Sequence, residues 1–352
     1  MRSYIWEVIT FLYNWKNPSC LLISRKFQIN MYFIQRILVL AIFLILISCN
    51  KDNGIDQNSR FKVSVDGRAN IYIIDDQSNS LVKQLNNKLG NVSVHNFYLN
   101  SETNNLYFSK GDKSSPIERV NILDVLQNEN NQYSSEGVPF PLQLGWSVEE
   151  LVVDKNENIH AFIIDTSPNG NEVFYQKSFG NELIMNIDLT QEFGIPMRGI
   201  EGAYYLEKSN QIYVVWYDGR ISFTPPKGLI IDIDSNSIEL LDFPDIDIVN
   251  IFENNSVTYL VGGNIYSGDF SLSLFDLNGS ELCPLIGILV QPTYPSAAIR
   301  YDIHDSRIEF IERNGSNYNT GFFESENCQI IRDDTFYSDN ETFFVNLYFF
   351  NN

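Results

Sequence analysis

Along most of the chain, short apolar or aromatic runs alternate with clusters of Asn, Asp, Ser and Gly. This is the grammar of strands separated by tight turns: β-branched and aromatic side chains suit a pleated surface, while Asn, Asp and Gly tolerate the backbone angles that turns require. Helical periodicity is nearly absent, and only Ile122 to Gln127 and Leu189 to Phe193 carry the spacing for a turn or so of helix. One segment breaks the pattern. From Ile37 to Ile47 all eleven residues are apolar, a run that would rise about 16 Å as a helix, roughly half the hydrocarbon thickness of a bilayer. That is short for a spanning segment and suits the apolar core of a signal peptide.

After residue 60 one strand-turn-strand unit recurs: an apolar residue, a polar turn rich in Asn, then an apolar residue usually followed by an aromatic. The clear copies are Val65 to Ile71-Tyr72, Leu99 to Leu106-Tyr107, Val153 to Ile159-His160 and Leu206 to Ile212-Tyr213; fainter ones are Phe252 to Val257-Thr258 and Ile303 to Ile308-Glu309. Their starts are separated by 34, 54, 53, 46 and 51 residues. Between copies lies a second hairpin signal led by an acidic residue, as in Asp75 to Asn79, Asp232 to Asn236, Phe275 to Gly279 and Phe323 to Asn327. Two hairpins per period make a four-stranded sheet, and such units repeated every 40 to 50 residues or so are the signature of propeller blades. The pattern predicts an all-β propeller, with six blades favoured over seven. The terminal Thr342 to Phe350 reads as a strand that closes the ring beside the N-terminal blade.

Directly after the apolar run comes Leu46-Ile47-Ser48-Cys49, with Arg36 ahead of it. This resembles the lipobox of bacterial lipoproteins, which implies cleavage before Cys49 and lipid on that cysteine. Met31 to Ser48 makes a complete signal by itself, so residues 1–30 read as an over-extended start, 31–48 as the signal peptide, 49–60 as a flexible tether and 61–352 as the propeller. Asn50-Lys51-Asp52 is similar to a loose form of the Lys-plus-acidic signal that sends some lipoproteins to the cell surface, and the expected location is the outer membrane. The hairpin from Val152 to His160 resembles the inner strands of six-bladed propellers of the NHL and TolB-like type. The likeness is one of blade rhythm. Such propellers bind proteins, sugars, lipids and metals or hydrolyse lactones and esters, so fold alone does not select a function.

Charge narrows the choice. The formal net charge is −20, and residues 1–48 hold five Arg or Lys against one Glu, leaving −24 on the remaining 304 residues. Nucleic acid is excluded, because binding it depends on clustered cations that neutralise phosphates. An anionic bilayer would repel this body, so membrane contact must come through the lipid on Cys49.

Catalytic constellations are sparse. His160 fills the slot held by Tyr72, Tyr107 and Tyr213, which suits packing. His304 falls where other copies have Asp66, Asn100, Asp154, Glu207 and Glu253, residues that form turns through their own backbone. His95, in an alternating strand, has no partner by spacing. Gly145-Trp146-Ser147-Val148-Glu149 lacks the closing glycine of a nucleophile elbow, and Asp232 to Asn236 lacks the glycine and distal glutamate of a calcium loop. No cofactor is predicted; calcium held by acidic residues converging on the axis is the one possibility. Trp146 and Trp216 could stack on sugars, although core packing is their commoner fate. Cys283 and Cys328 each follow the second hairpin of successive units, which puts them on outer strands of adjacent blades. Equivalent points there are expected well beyond the Cα separation of about 7 Å that a disulfide tolerates, which argues against a bond. The expectation is a binding or scaffold propeller, not an enzyme, that meets a glycan, peptide or partner protein at one mouth. The alternative is a propeller hydrolase or lactonase with an axial metal, which needs Glu, Asp or Asn from three separate blades to face the axis together.

Overall fold

The computed structural model describes residues 60–66, 68–87, 94–110, 117–167, 170, 172–196, 200–217, 225–263, 272–285, 299–302, 307–314, 316–324, 328–338 and 344–351. The signal segment, Cys49, the tether before Arg60 and His304 lie outside them.

Blade 1 takes β1 (Arg60–Asp66), β2 (Ile71–Asp75) and β3 (Leu81–Asn87). Blade 2 takes β4 (Val94–Asn100), β5 (Asn105–Lys110) and β6 (Ile117–Asn121), then, after α1 (Ile122–Gln127) and the two-residue β7 (Gln132–Tyr133), which joins the sheet of blade 1 as a fifth strand, its outer strand β8 (Glu136–Gly137). Blade 3 is β9 (Trp146–Val153), β10 (Ile159–Asp165), β11 (Val173–Phe179) and β12 (Glu182–Asp188), followed by α2 (Leu189–Phe193). Blade 4 is β13 (Ile200–Leu206), β14 (Gln211–Trp216), β15 (Lys227–Asp232) and β16 (Ser237–Asp242). Blade 5 is β17 (Asp247–Asn254), β18 (Val257–Gly263), β19 (Leu272–Asp276) and β20 (Glu281–Pro284). Blade 6 is β21 (Ile299–Asp302), β22 (Arg307–Asn314), β23 (Asn317–Glu324) and β24 (Gln329–Ser338), and the chain ends in β25 (Phe344–Asn351). The six sheets form a ring, a six-bladed β-propeller. Both short helices lie where the spacing placed them, each started by a polar cap: the side chain of Asn121 accepts from Leu123 and Asp124, and that of Asp188 from Gln191.

The Asn-rich turns have a conformational cause. Asn79, Asn104, Asn210, Asn236 and Asn255 adopt left-handed backbone angles, with φ from 49° to 56°, which Asn tolerates better than other residues bearing a side chain. The leading carboxylates hold the turns by accepting backbone N–H groups: Asp154 from Asn156 (2.8 Å) and Asn158 (2.9 Å), Asp232 from Ser235 (2.8 Å), Asp276 from Ser280 (2.8 Å).

Each central strand is apolar on both faces because each blade is covered on both. In blade 3, Phe162 and Ile164 pack toward blade 4 while Ala161 and Ile163 pack toward blade 2. In blade 4, Ile212, Val214 and Trp216 pack toward blade 3, and Tyr213 and Val215 toward blade 5. Period-two alternation distributes one continuous apolar run between two interfaces.

Ring closure follows the expected route. β25 pairs antiparallel with β1, from Arg60 opposite Asn351 to Asp66 opposite Phe344, and supplies the inner strand of blade 1. This corrects the register of the first repeat copy. The turn from Val65 to Ile71 joins the second and third strands of its sheet, whereas the later copies join the first and second. The anomalous first interval of 34 residues is the consequence.

The seam between blades 6 and 1 joins an apolar cluster of Tyr72, Ile74, Ile311, Tyr318 and Phe336 to a buried network of charges. Lys62, 1 % exposed, pairs with Glu309 (2.8 Å, 0 % exposed) and Asp76 (3.4 Å). Arg60 bridges Asp76 and Asp302, and Arg307 Nε donates to Glu309 (2.8 Å). Between blades 1 and 2, β7 pairs with the outer strand β3, Lys83 donates to the carbonyls of Val125 and Leu126 at the end of α1, and the Tyr133 hydroxyl donates to Ala69 O (2.5 Å).

A second correction concerns the cysteines. Cys283 and Cys328 form a disulfide with Cα atoms 5.6 Å apart. The contrary expectation placed them at equivalent points of the outer strands, and they are not equivalent. Cys283, 3 % exposed, lies within β20 and points into the interface of blades 5 and 6. Cys328, in the left-handed region (φ 59°), immediately precedes β24 and lies beside the Leu282 carbonyl of blade 5. The bond closes a separation of 45 residues. Reduction, or Cys283→Ala with Cys328→Ala, is expected to cost about 2–4 kcal/mol in urea unfolding, and an unchanged midpoint would show the link to be energetically idle.

Candidate functional site

The inner strands β4, β9, β13, β17, β21 and β25 all run in one direction along the axis. They begin at one face of the ring, here the entry face, and end at the other, the exit face. The axis is chemically different at its two ends.

Toward the exit face lies a chamber of about 150 Å³ walled by four blades. Tyr98 and Ser101 come from blade 2, Tyr204, Tyr205 and Lys208 from blade 4, Asn250 and Phe252 from blade 5, and Arg300 and Tyr301 from blade 6. Neighbouring blades pin the wall. Tyr204 donates to Val249 O (3.2 Å), Asn250 Nδ2 to Ile299 O (2.7 Å) and the Ser209 N–H to Glu253 Oε2 (3.1 Å), while within blade 4 Tyr205 donates to Asn210 Oδ1 (2.8 Å). Phe252 and Tyr301 stack with centroids 4.2 Å apart and planes 10° from parallel. Gly202 leaves room for the Tyr204 ring, since a Cβ there would come within 2.6 Å of the hydroxyl. Burial pushes the Tyr205 phenol up to about 12, so it stays neutral.

Toward the entry face, Glu149 and Glu150 of β9, Glu201 of β13 and Asp247 of β17 approach one another. Burial, then the charges of Glu149 and Glu201, push the Glu150 carboxyl well above the ordinary carboxylate range. Burial, then Asp247 and Glu149, raise Glu201. Acidic residues from three blades do therefore gather near the axis. Among the described residues, however, no group of three or more His, Cys, Asp or Glu side chains is arranged to hold a metal ion.

The remaining sequence candidates are distributed through the fold. His160 is fully buried, with Nε2 3.2 Å from Asp154 Oδ2 and Nδ1 2.8 Å from the Tyr175 hydroxyl. Burial holds the imidazole below its ordinary value against the pull of Asp154; for the neutral ring, Nε2–H donates to Asp154 and Nδ1 accepts from Tyr175. Blade 1 repeats the arrangement with tyrosine, as Tyr72 donates to Asp66 Oδ2 (3.0 Å). His160 thus belongs to a turn brace with no solvent access. His95 is the second residue of β4. Trp216 is 2 % exposed in the interface of blades 3 and 4, and Trp146 stacks on Phe174 at 4.4 Å, so both serve packing. The chamber escaped sequence reading because its lining joins residues up to about 200 positions apart; the one local hint is the non-repeating Arg300-Tyr301-Asp302.

No family model matches the chain, and no curated protein matches it. Solved structures do. A chain from a nidogen–laminin complex is 13% identical with a TM-score of 0.52, the match covering 83% of this chain and 98% of that one. TolB from Acinetobacter baumannii is 11% identical with a TM-score of 0.52, over 82% of this chain and 67% of that one. At such identity the likeness is one of fold.

Two outcomes follow from the electrostatics. A carboxyl whose folded pKa is raised costs stability increasingly as pH rises above the unfolded value near 4.5, in full once pH exceeds the folded value, and nothing below the unfolded one. Glu150→Gln should therefore raise the melting temperature at pH 8 and lose that advantage as pH falls toward 4. A histidine held neutral by the fold contributes stability above pH 6.5 that fades as pH falls through its lower folded value. His160→Gln should be less stable at pH 8, by about 1 kcal/mol or more, yet show a flatter melting profile between pH 7 and 5.

Proposed function

We propose that this chain is an exported, lipid-tethered binding propeller that presents its exit-face chamber to a glycan, peptide or protein partner. The observation that carries the reading is the chamber: an open axial cavity whose aromatic and polar wall is held in place by hydrogen bonds between blades, as a preformed site requires. Export is supported by the Leu46-Ile47-Ser48-Cys49 sequence and, independently, by the Cys283–Cys328 bond, because disulfides persist in oxidising compartments such as the periplasm and cell surface. The outer membrane is the assigned location and the lipid on Cys49 the anchor.

Metabolic labelling with an alkyne fatty acid tests the anchor: label is expected on the native chain and absent from Cys49→Ala. Glycan and peptide screening tests the chamber, with binding expected to fall about tenfold or more in Tyr205→Ala. Hits indifferent to that substitution would move the binding surface elsewhere.

The acid cluster keeps a second reading, an axial cation serving a hydrolase. A ligand that binds only the native state raises stability with the logarithm of its concentration over its dissociation constant. A melting temperature that rises with calcium and falls with chelator would favour that reading; an unchanged one leaves the binding module.

A further inference from the structure

The chain enters the propeller at the chamber. Arg60, the first residue of β1, pairs with Asn351 at the exit-face end of β25, and its guanidinium bridges to Asp302, which lines the chamber. The exposed chamber residues Ser101, Glu207 and Lys208 belong to turns of that same face. Whatever precedes Arg60 therefore leaves from the face on which the chamber opens.

If lipid sits on Cys49, eleven steps of chain separate it from Arg60. Fully extended they reach at most about 40 Å. The opposite face is farther by the length of an inner strand, about 23 Å for the seven residues of β13. The short tether biases the chamber mouth toward the bilayer and leaves little depth for a globular partner beneath it.

The lining describes the guest. Lys208 and Arg300 face Glu207, Glu253 and Asp302, and Arg60 is the partner of Asp302. The lining carries two cations against three anions, and Arg60 is shared between Asp302 and Asp76, so the wall lies one negative charge from neutral and offers an anionic guest no unpaired counter-charge. A body of strongly negative net charge also disfavours phosphate-bearing guests over long range. What the wall offers is tyrosine rings beside amide and hydroxyl groups, a combination that packs on the apolar face of a sugar and hydrogen-bonds its edge. A chamber of about 150 Å³ is small, and suits a single ring better than a chain of residues.

We infer that the exit-face chamber looks onto the membrane that carries the lipid and receives an uncharged saccharide headgroup displayed there. This rests on the lipid-tether reading, and the experiment separates the two. Full-length lipidated protein is reconstituted in vesicles containing an acceptor-labelled lipid, with a donor dye at Glu102→Cys on the exit face or Asp245→Cys on the entry face. Fatty-acid labelling of the same preparation reports the tether alone. With acylation confirmed, energy transfer should be higher from position 102; equal transfer, or higher from 245, overturns the orientation.

Vesicles carrying a neutral monoglycosyl diacylglycerol should raise the melting temperature saturably, whereas phosphatidylglycerol vesicles and free methyl glucoside at matched concentration should not. Ser101→Trp, a plug at an exposed rim position, should weaken the glycolipid effect about tenfold without changing energy transfer. A shift that survives the plug, that phosphatidylglycerol reproduces, or that never occurs despite acylation sinks the saccharide assignment. A shift produced equally by free methyl glucoside reassigns the guest to a soluble sugar.

Discussion

The structure depends on the pairing of β25 with β1. A single small twisted sheet cannot bury two faces, so each blade is stable only between two neighbours, and an open row would leave its terminal blades with an uncovered face. Bringing the last strand beside the first removes both ends at once. To its apolar cluster of Tyr72, Ile74, Ile311, Tyr318 and Phe336 the seam adds a buried set of charges. Lys62, Glu309 and Asp302 are almost fully withdrawn from water, and burial raises the Glu309 carboxyl even though Lys62 and Arg307 draw it down. Desolvating such groups is costly and tolerable only when each finds its partner. The network consequently disfavours any register of β1 against blade 6 other than the one that pairs all of them, a demand that apolar contacts would make less sharply.

Closure also determines the site. With β25 innermost in blade 1, all inner strands run the same way, so the axis acquires two unlike ends. The strand starts bring Glu149, Glu150, Glu201 and Asp247 near one another, and the strand ends bring Tyr98, Tyr205 and Tyr301 around the chamber. Tyr204 lies between, its phenol raised by burial and then by Glu150, with Arg300 opposing. The entrance of β1 beside Asp302 is a further consequence of the same closure, because a strand antiparallel to β25 must begin where the inner strands end.

Much of this was legible locally. Turn residues, both helices and the closing strand announce themselves through propensities that act within a few positions. The first repeat copy misled because a hairpin between second and third strands has the same grammar as one between first and second; only the partner of β1, nearly 300 residues away, tells them apart. The disulfide was unexpected because strand order gives a residue's radius but not its height along the strand or the side of its blade that it faces, and Cys283 within β20 and Cys328 ahead of β24 differ in both. Lys62 and Glu309 look like ordinary outward polar positions in alternating strands until the ring places them opposite each other. In each case the deciding contact joins residues far apart in sequence, and no short window contains it.

The repeat itself separates structure from function. Asp66, Asn70 and Tyr72 in blade 1 and Asp154, Asn158 and His160 in blade 3 make the same contacts, the amide of each Asn donating to the carboxylate at 2.9 Å and 2.7 Å. Yet the two turns lie on opposite faces of the ring, since one joins second and third strands and the other first and second. A motif used identically on both faces serves the hairpin and not a ligand, however much an Asp–His–Tyr arrangement suggests catalysis. Function is better sought where blades differ. Blade 3 contributes no side chain to the chamber wall, while blades 4 and 6 place Lys208, Arg300 and Tyr301 there. Those unrepeated residues cluster at one end of the axis, and it is that asymmetry, more than any single side chain, that singles out the exit face.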